Sequence, residues 1–199
     1  GWSPDGKWLY FSCAPKRDMP ADRKNLHYSI IRVDFDAAKG PLGNRVDTVY
    51  NARTQGGSAS FPRVSPDGRY LLFTLADFGT FPIWHNEADL KMIDLTTGAP
   101  VEINIWNDKG NTDSYPQWSK NGRWVMFSSR RLDGRYTRLF IAYLDKDGKP
   151  YKPFLLPQRD PRQNTLRLKS FNIPEFMDGR VEMPKNTIEL FECEDNIIK

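Results

Sequence analysis

Histidine and cysteine, the residues most often used for metal binding and nucleophilic catalysis, are scarce in this sequence. Its 199 residues include two histidines, His27 and His85, and two cysteines, Cys13 and Cys193. No Cys-x-x-Cys pair, phosphate-binding loop or dinucleotide-binding glycine motif is present. The two cysteines lie at opposite ends of the chain, so the sequence leaves open whether they are bonded. We therefore predict no metal site, no cofactor and no catalytic residue.

Long apolar runs and unbroken stretches of positive charge are also absent. No segment approaches the roughly 18 uninterrupted apolar residues of a membrane-spanning helix. The formal net charge is +4 and the isoelectric point is near 9.0, but acidic residues interrupt every basic cluster. A nucleic-acid surface gathers basic side chains on one face. The sequence therefore predicts neither a membrane span nor a nucleic-acid partner.

What the sequence has instead is three copies of one short frame, at residues 2–12, 64–74 and 118–128. Each copy has a serine, then Pro-Asp-Gly or Lys-Asn-Gly, then a basic residue and an aromatic-rich apolar stretch. Asp-Gly and Asn-Gly favour tight turns, whereas aromatic and β-branched residues favour strands. The frame predicts a strand–turn–strand unit whose structural turn residues are Asp5, Gly6, Asp67, Gly68, Asn121 and Gly122.

This frame resembles the TolB-like family of bacterial WD-like β-propeller repeats. The resemblance covers most of residues 1–156 and is clearest in Pro116-Gln117-Trp118-Ser119 and Trp2-Ser3-Pro4-Asp5-Gly6. The third copy departs from the family pattern, because Lys120-Asn121 replaces Pro-Asp. The resemblance implies a propeller that is used for binding, in the periplasm or at the cell envelope.

The expected fold class is all-β, a β-propeller or part of one, with four-stranded antiparallel blades. Three repeats are clear, and residues 174–183 form a degenerate fourth candidate. We assign residues 1–156 to the blades and residues 157–199 to a C-terminal segment that serves as a closing strand or a degenerate blade. Strands are predicted at 7–12, 29–35, 46–51, 60–64, 69–75, 89–95, 100–105, 114–118, 123–129, 138–144 and 151–156.

Three frames are too few for an ordinary closed propeller, which has four to eight blades. Three solutions stay open at this point. The chain is part of a longer propeller; or residues 170–192 supply the missing strand of the first blade; or two chains pair through their open blade edges as a homodimer.

Two insertions, at residues 14–28 and 77–88, follow the second strand of their blades and should emerge on one rim. The second contains Trp84 and His85, which no other frame repeats, and we predict that they bind a ligand unless the loop folds its aromatic rings back onto the blade. Asp113 and Tyr115 precede or begin an inner strand and are further binding candidates at the mouth of the central channel.

The predicted function is a non-catalytic scaffold that binds a protein partner whose identity the sequence does not give. The alternative is a propeller that accompanies a hydrolase or a carbohydrate-active enzyme and binds a peptide or sugar at the channel mouth. A sugar-cleaving site would require Asp113, Arg63 and His85 to converge there.

Overall fold

The computed structural model describes residues 1–16, 23–40 and 42–179, which form three antiparallel sheets. Blade I contains β1 (Trp8–Cys13), β2 (Ser29–Asp34) and β3 (Val46–Tyr50). Blade II contains β4 (Ser58–Val64), β5 (Tyr70–Ala76), β6 (Asp89–Asp94) and β7 (Pro100–Val101). Blade III contains β8 (Asp113–Trp118), β9 (Trp124–Ser129), β10 (Arg138–Tyr143) and β11 (Phe154–Leu155). The fold is all-β, as predicted, and corresponds to part of a β-propeller.

Short helices connect the strands. Within the described ranges these connections contain the single α-helical turn α1 (Ala52–Gln55) and 3-10 turns at Arg23–Asn25, Pro82–Trp84 and Asn104–Trp106, and a second α-helical turn, α2 (Gln163–Leu166), follows β11. The strand predicted at 100–105 is wrong beyond Val101, because the chain turns into the 3-10 helix Asn104–Trp106 and buries Trp106. Among the described residues, no helix is long and apolar enough to cross a membrane.

The repeated frame builds the same hydrogen-bonded turn three times. In each copy the serine hydroxyl donates to the side-chain oxygen of the Asp or Asn two residues later, at 2.6, 2.5 and 2.8 Å. The serine oxygen also accepts the backbone N–H five residues later, at 2.9, 2.8 and 3.0 Å. The glycine that follows has a φ of 66° to 75°, which favours glycine. The residues involved are Ser3, Asp5, Gly6, Ser65, Asp67, Gly68, Ser119, Asn121 and Gly122.

Blade II is buried on both faces, which explains the almost continuous apolar sequence of β5. Leu71 and Phe73 pack into a cluster with blade I, whereas Tyr70 and Leu72 pack into a cluster with blade III. Blades I and III each have one face in these clusters, so their other faces are only partly covered. Trp124, for example, lies on the outer face of blade III beside Tyr143 and Phe154.

The first blade has a three-stranded sheet, and its innermost position is held by the start of the chain. Gly1 exchanges two backbone hydrogen bonds with Tyr10, both at 2.7 Å, and Trp2 forms an isolated bridge with Leu9. The described part of segment 170–192, which ends at residue 179, forms no strand. The remainder of that segment, the second half of the candidate fourth repeat and Cys193 lie outside the described residues. Cys13 is a free thiol.

After β11 the chain folds back over blade III, and a buried arginine holds it there. Arg138, the first residue of β10, is fully buried and donates to the carbonyl oxygens of Asn164, Arg167 and Lys169, at 2.6, 2.8 and 3.2 Å. Ser128 donates to the carbonyl of Asn172 at 2.6 Å. Further contacts join Thr137 to Phe171 and Lys120 to Asp178. We call residues 157–179 the C-terminal strap.

Candidate binding site on the loop rim

The loops that leave one end of the three blades are joined to each other by hydrogen bonds. The backbone N–H of Gly79 donates to the carbonyl of Leu26 at 2.8 Å, which links the two insertions. The hydroxyl of Thr112 donates to the carbonyl of Pro82 at 2.9 Å, and the N–H of Arg130 donates to the carbonyl of Thr112 at 3.2 Å. The prediction that both insertions emerge on one rim is confirmed. We call this surface, formed by the described parts of 14–28, 77–88, 107–112 and 130–137, the loop rim.

Trp84 and His85 are adjacent in sequence but have different environments. Trp84 ends the 3-10 turn Pro82–Trp84 and is 76% exposed. His85 is turned inward: its Nδ1 lies 2.6 Å from Oε1 of Glu87, and its ring packs edge-on against Phe78 at 4.5 Å between centroids. The side chain of His85 is therefore used within the loop, and Trp84 is the residue of this pair that is exposed to solvent.

Phe81, just before the same 3-10 turn, is 69% exposed. Together, Phe81 and Trp84 place two large apolar side chains in solvent on one short loop. The carbonyl of Pro82 between them is fixed by Thr112 of the neighbouring blade. Exposed aromatic residues on a fixed backbone are typical of the anchoring positions of protein interfaces.

Asp113 is fully buried at the start of β8 and is engaged by protein groups on both carboxylate oxygens. Oδ1 lies 2.6 Å from Nη2 of Arg131, and Oδ2 accepts the backbone N–H of Asp108 at 2.6 Å. Burial raises the pKa of Asp113 to about 6, against the opposing effect of the Arg131 charge. The structure thus places Asp113 under the rim, where it joins the loop before β8 to the loop after β9.

Tyr115 and Phe61 occupy equivalent bulges in the inner strands β8 and β4. Both have left-handed backbone, with φ of 56° and 54°, and the strand register shifts at both positions. Each precedes a proline, which has no N–H to contribute to a strand ladder. The two rings pack edge-on at 4.6 Å between centroids. The bulges therefore bring aromatic rings of neighbouring blades together at the inner strands.

Arg130 lies against the exposed loop and was not identified from the sequence as a site residue. Its guanidinium carbon lies 5.3 Å from the centre of the Trp84 ring. Burial raises the pKa of the Tyr115 phenol, and the nearby positive charge of Arg130 opposes that rise. The sequence signals that pointed to this site were weak: an Arg-Arg pair directly after β9, and an aromatic-Pro pair four residues before the frame serine in two copies.

The structure places Arg130 over Trp84 and near enough to Tyr115 for its charge to affect the pKa of the phenol. His85 and Asp113 are assigned to internal contacts. The six predicted turn residues lie in the frame turns, directly before β1, β5 and β9. In the described part of the chain, no group of three or more histidine, cysteine, aspartate or glutamate side chains is placed to hold a metal ion.

No protein-family model matches the sequence, and no curated protein matches it. Among solved structures, a candidate TolB from Agrobacterium tumefaciens is 20% identical and covers 78% of this chain, with a TM-score of 0.49. The β-propeller domain of the Trilobed protease from Pyrococcus furiosus, described as having an open velcro topology, is 18% identical and covers 77%, with a TM-score of 0.43. A puromycin-hydrolyzing peptidase from Mycobacterium tuberculosis is 13% identical and covers 79%, with a TM-score of 0.50.

The chain spans 48%, 41% and 23% of these three proteins, which is less than half of each. Similarity at this level of identity shows the fold alone. The three sheets of this chain, with their repeated turn and inner-strand bulges, form part of a β-propeller.

Proposed function

We propose that this protein is a non-catalytic β-propeller scaffold that binds a segment of a protein partner on its loop rim. The observation that carries the proposal is the exposure of Phe81 and Trp84 on a short loop that is hydrogen-bonded to the next blade. Large aromatic residues at such positions supply much of the energy of protein interfaces. Because the loop is already fixed, little ordering entropy is lost when a partner binds.

The side chains that would be candidates for catalysis at the rim support a binding role. Asp113 is held by Arg131 and a backbone N–H, and His85 is held by Glu87. A general base must reach a proton of the substrate, and both side chains are instead engaged by groups of the protein. A location in the periplasm or at the cell envelope is part of the proposal and rests on the TolB-like repeat.

A second candidate function is a propeller that accompanies a hydrolase domain. It is favoured by the match to the M. tuberculosis peptidase, of which this chain would correspond to 23%. A peptidase assay on the full-length gene product tests it: release of amino acids from peptide substrates would favour this candidate, and an inactive product would favour the scaffold.

Peptide display on the immobilised protein tests the scaffold proposal. Peptides selected from a random library should contain an apolar residue, and Trp84→Ala or Phe81→Ala should weaken their binding at least about 10-fold. Ile105→Ala is a matched control, since Ile105 is an exposed apolar residue of another 3-10 turn, 50% exposed. Selected peptides that bind the Trp84 and Phe81 variants as tightly as the wild type would contradict the proposal.

A further inference from the structure

Three arginines near the loop rim differ in how their guanidinium groups are used. Arg131 binds the carboxylate of Asp113, the carbonyl of Trp106 and the hydroxyl of Ser129, at 2.6, 2.6 and 2.9 Å. Arg138 donates to carbonyls of the C-terminal strap. Both are therefore engaged inside the fold, and neither is available to a partner.

Arg130 has no such partners among the described residues. No acidic side chain there forms an ion pair with it, and its Nε is buried with no hydrogen-bond acceptor. Buried polar groups in proteins are usually hydrogen-bonded, and an unsatisfied one needs a physical account. The cost of leaving this N–H unpaired is removed if the guanidinium turns to meet an acceptor from outside the chain.

The surroundings of Arg130 favour one kind of acceptor. The guanidinium lies over the face of Trp84, and stacking of this kind leaves the in-plane N–H donors of arginine able to bind a planar acceptor. Tyr115 lies in β8, which pairs with β9, the strand that ends directly before Arg130, and the Arg130 charge opposes the rise in the Tyr115 pKa. The site thus offers the N–H donors of a charged guanidinium, a hydroxyl donor and the flat apolar face of an indole.

We infer that Arg130, Trp84 and Tyr115 form a subsite for a carboxylate group of the bound protein segment, an inference that rests on the proposed function. Arg130 binds the carboxylate oxygens, Tyr115 donates a further hydrogen bond, and Trp84 packs against the carbon chain that bears the carboxylate. The positive charge at this point is that of one guanidinium, because Asp113 neutralises Arg131. A singly charged planar carboxylate matches it better than a phosphate, which is usually bound by several cations or N–H groups.

Nuclear magnetic resonance with small probes tests the chemistry directly. The probes are 3-phenylpropionate, its uncharged amide and inorganic phosphate, each added in the millimolar range. We expect 3-phenylpropionate to shift the Arg130 Nε–H and Trp84 indole N–H signals saturably, and the amide to bind at least about 10-fold more weakly. Arg130→Gln should abolish the effect, whereas Arg135→Gln, a change at an exposed arginine of the same loop, should preserve it.

Three outcomes would overturn the inference: absence of a saturable shift, equal binding of the carboxylate and the amide, or tighter binding of phosphate. Circular dichroism of Arg130→Gln checks that the variant is folded. Tyr115→Phe retains the ring contact with Phe61 and should weaken the binding of 3-phenylpropionate by a smaller factor than Arg130→Gln does.

The peptides selected on the rim separate this inference from the proposed function. Arg130→Gln should weaken the binding of these peptides about 10- to 100-fold. Synthetic versions with an amidated C terminus, or with Gln in place of an internal Glu, identify which carboxylate is bound. If the peptides depend on Trp84 but not on Arg130, the carboxylate subsite is wrong and the binding scaffold stands. If they depend on neither residue, both proposals fail.

Discussion

Replacement of Arg138 by methionine should release the C-terminal strap from blade III. The side chain of Arg138 is completely buried, and three of its hydrogen bonds end on carbonyl oxygens of the strap, those of Asn164, Arg167 and Lys169. Methionine is unbranched and apolar, so it replaces the stem of the arginine side chain without donating to these carbonyls. The three carbonyls would then have to find water, which requires the strap to open.

The size of the effect follows from these contacts. A hydrogen bond from a charged group contributes about 1.5–3 kcal/mol, and burial of the guanidinium offsets part of that gain. Carbonyls of an opened strap are rehydrated, so the losses do not add fully. We therefore expect local opening of the strap to become easier by about 2–3 kcal/mol, which corresponds to an increase of about 30- to 150-fold in the open population.

Trypsin measures this opening, because it cleaves after Arg167 and Lys169, whose carbonyls Arg138 holds. When opening is fast relative to cleavage, the cleavage rate follows the open population. Arg138→Met should therefore accelerate both cuts about 30- to 150-fold. Arg123→Met removes an arginine that donates to one carbonyl, that of Asp145, and should leave both cuts unchanged. Equal cleavage of Arg138→Met and the wild type would refute the role of Arg138 as the anchor of the strap.

Two further predictions concern the loops and the buried ion pair. Gly57→Ala should lower the free energy of unfolding by about 2–4 kcal/mol, since φ is 63° and a Cβ would lie 2.8 Å from Leu75. Gly68 also has a positive φ, of 75°, but open space around its Cα, so Gly68→Ala should lower the free energy of unfolding by about 1–2 kcal/mol. Equal losses of unfolding free energy for the two variants, measured by unfolding in urea, would contradict this prediction. Arg131→Met should destabilise the protein by about 3 kcal/mol at neutral pH. The pKa of Asp113 is about 6 in the folded wild type and 3.8 in the unfolded chain. Its contribution to the free energy of unfolding therefore falls as the pH rises between these two values and then levels off. Loss of Arg131 raises the pKa of Asp113 in the folded protein further. The difference in the free energy of unfolding between the wild type and Arg131→Met, measured in urea, should therefore widen above pH 6. A constant difference would argue against the pairing.

The fold could be predicted because the information for it is local and repeated. Each frame contains its own turn donors and acceptors, from Ser3 to Trp8 and equivalently in the other copies, so the turn needs no partner from elsewhere in the chain. The apolar stretch of β5 also indicates its burial between two sheets. The strand bounds agree with prediction to within a few residues, except at two short outer strands: β7 ends early, at Val101, and β11 begins late, at Phe154.

The candidate site was less predictable because neighbouring residues meet different partners, some from the same loop and some from another blade. Nothing in the local sequence distinguishes Trp84 from His85, yet Glu87 and Phe78 turn His85 inward and leave Trp84 exposed. The same holds for the neighbouring residues Arg130 and Arg131. Arg131 meets a buried carboxylate, and Arg130 meets the face of an indole from the preceding blade.

The inner-strand bulge at Tyr115 explains how the phenol is positioned before any partner arrives. A left-handed non-glycine residue costs on the order of 1–2 kcal/mol, so the surrounding structure must hold it in place. Pro116 loses no strand hydrogen bond there, and the Phe61 ring contact contributes about 0.5–1.5 kcal/mol. Because the equivalent bulge recurs at Phe61, this geometry belongs to the blade repeat and does not depend on a ligand. A partner that uses the rim therefore meets a phenol whose ordering entropy was lost when the propeller folded, which leaves more of the contact energy for binding.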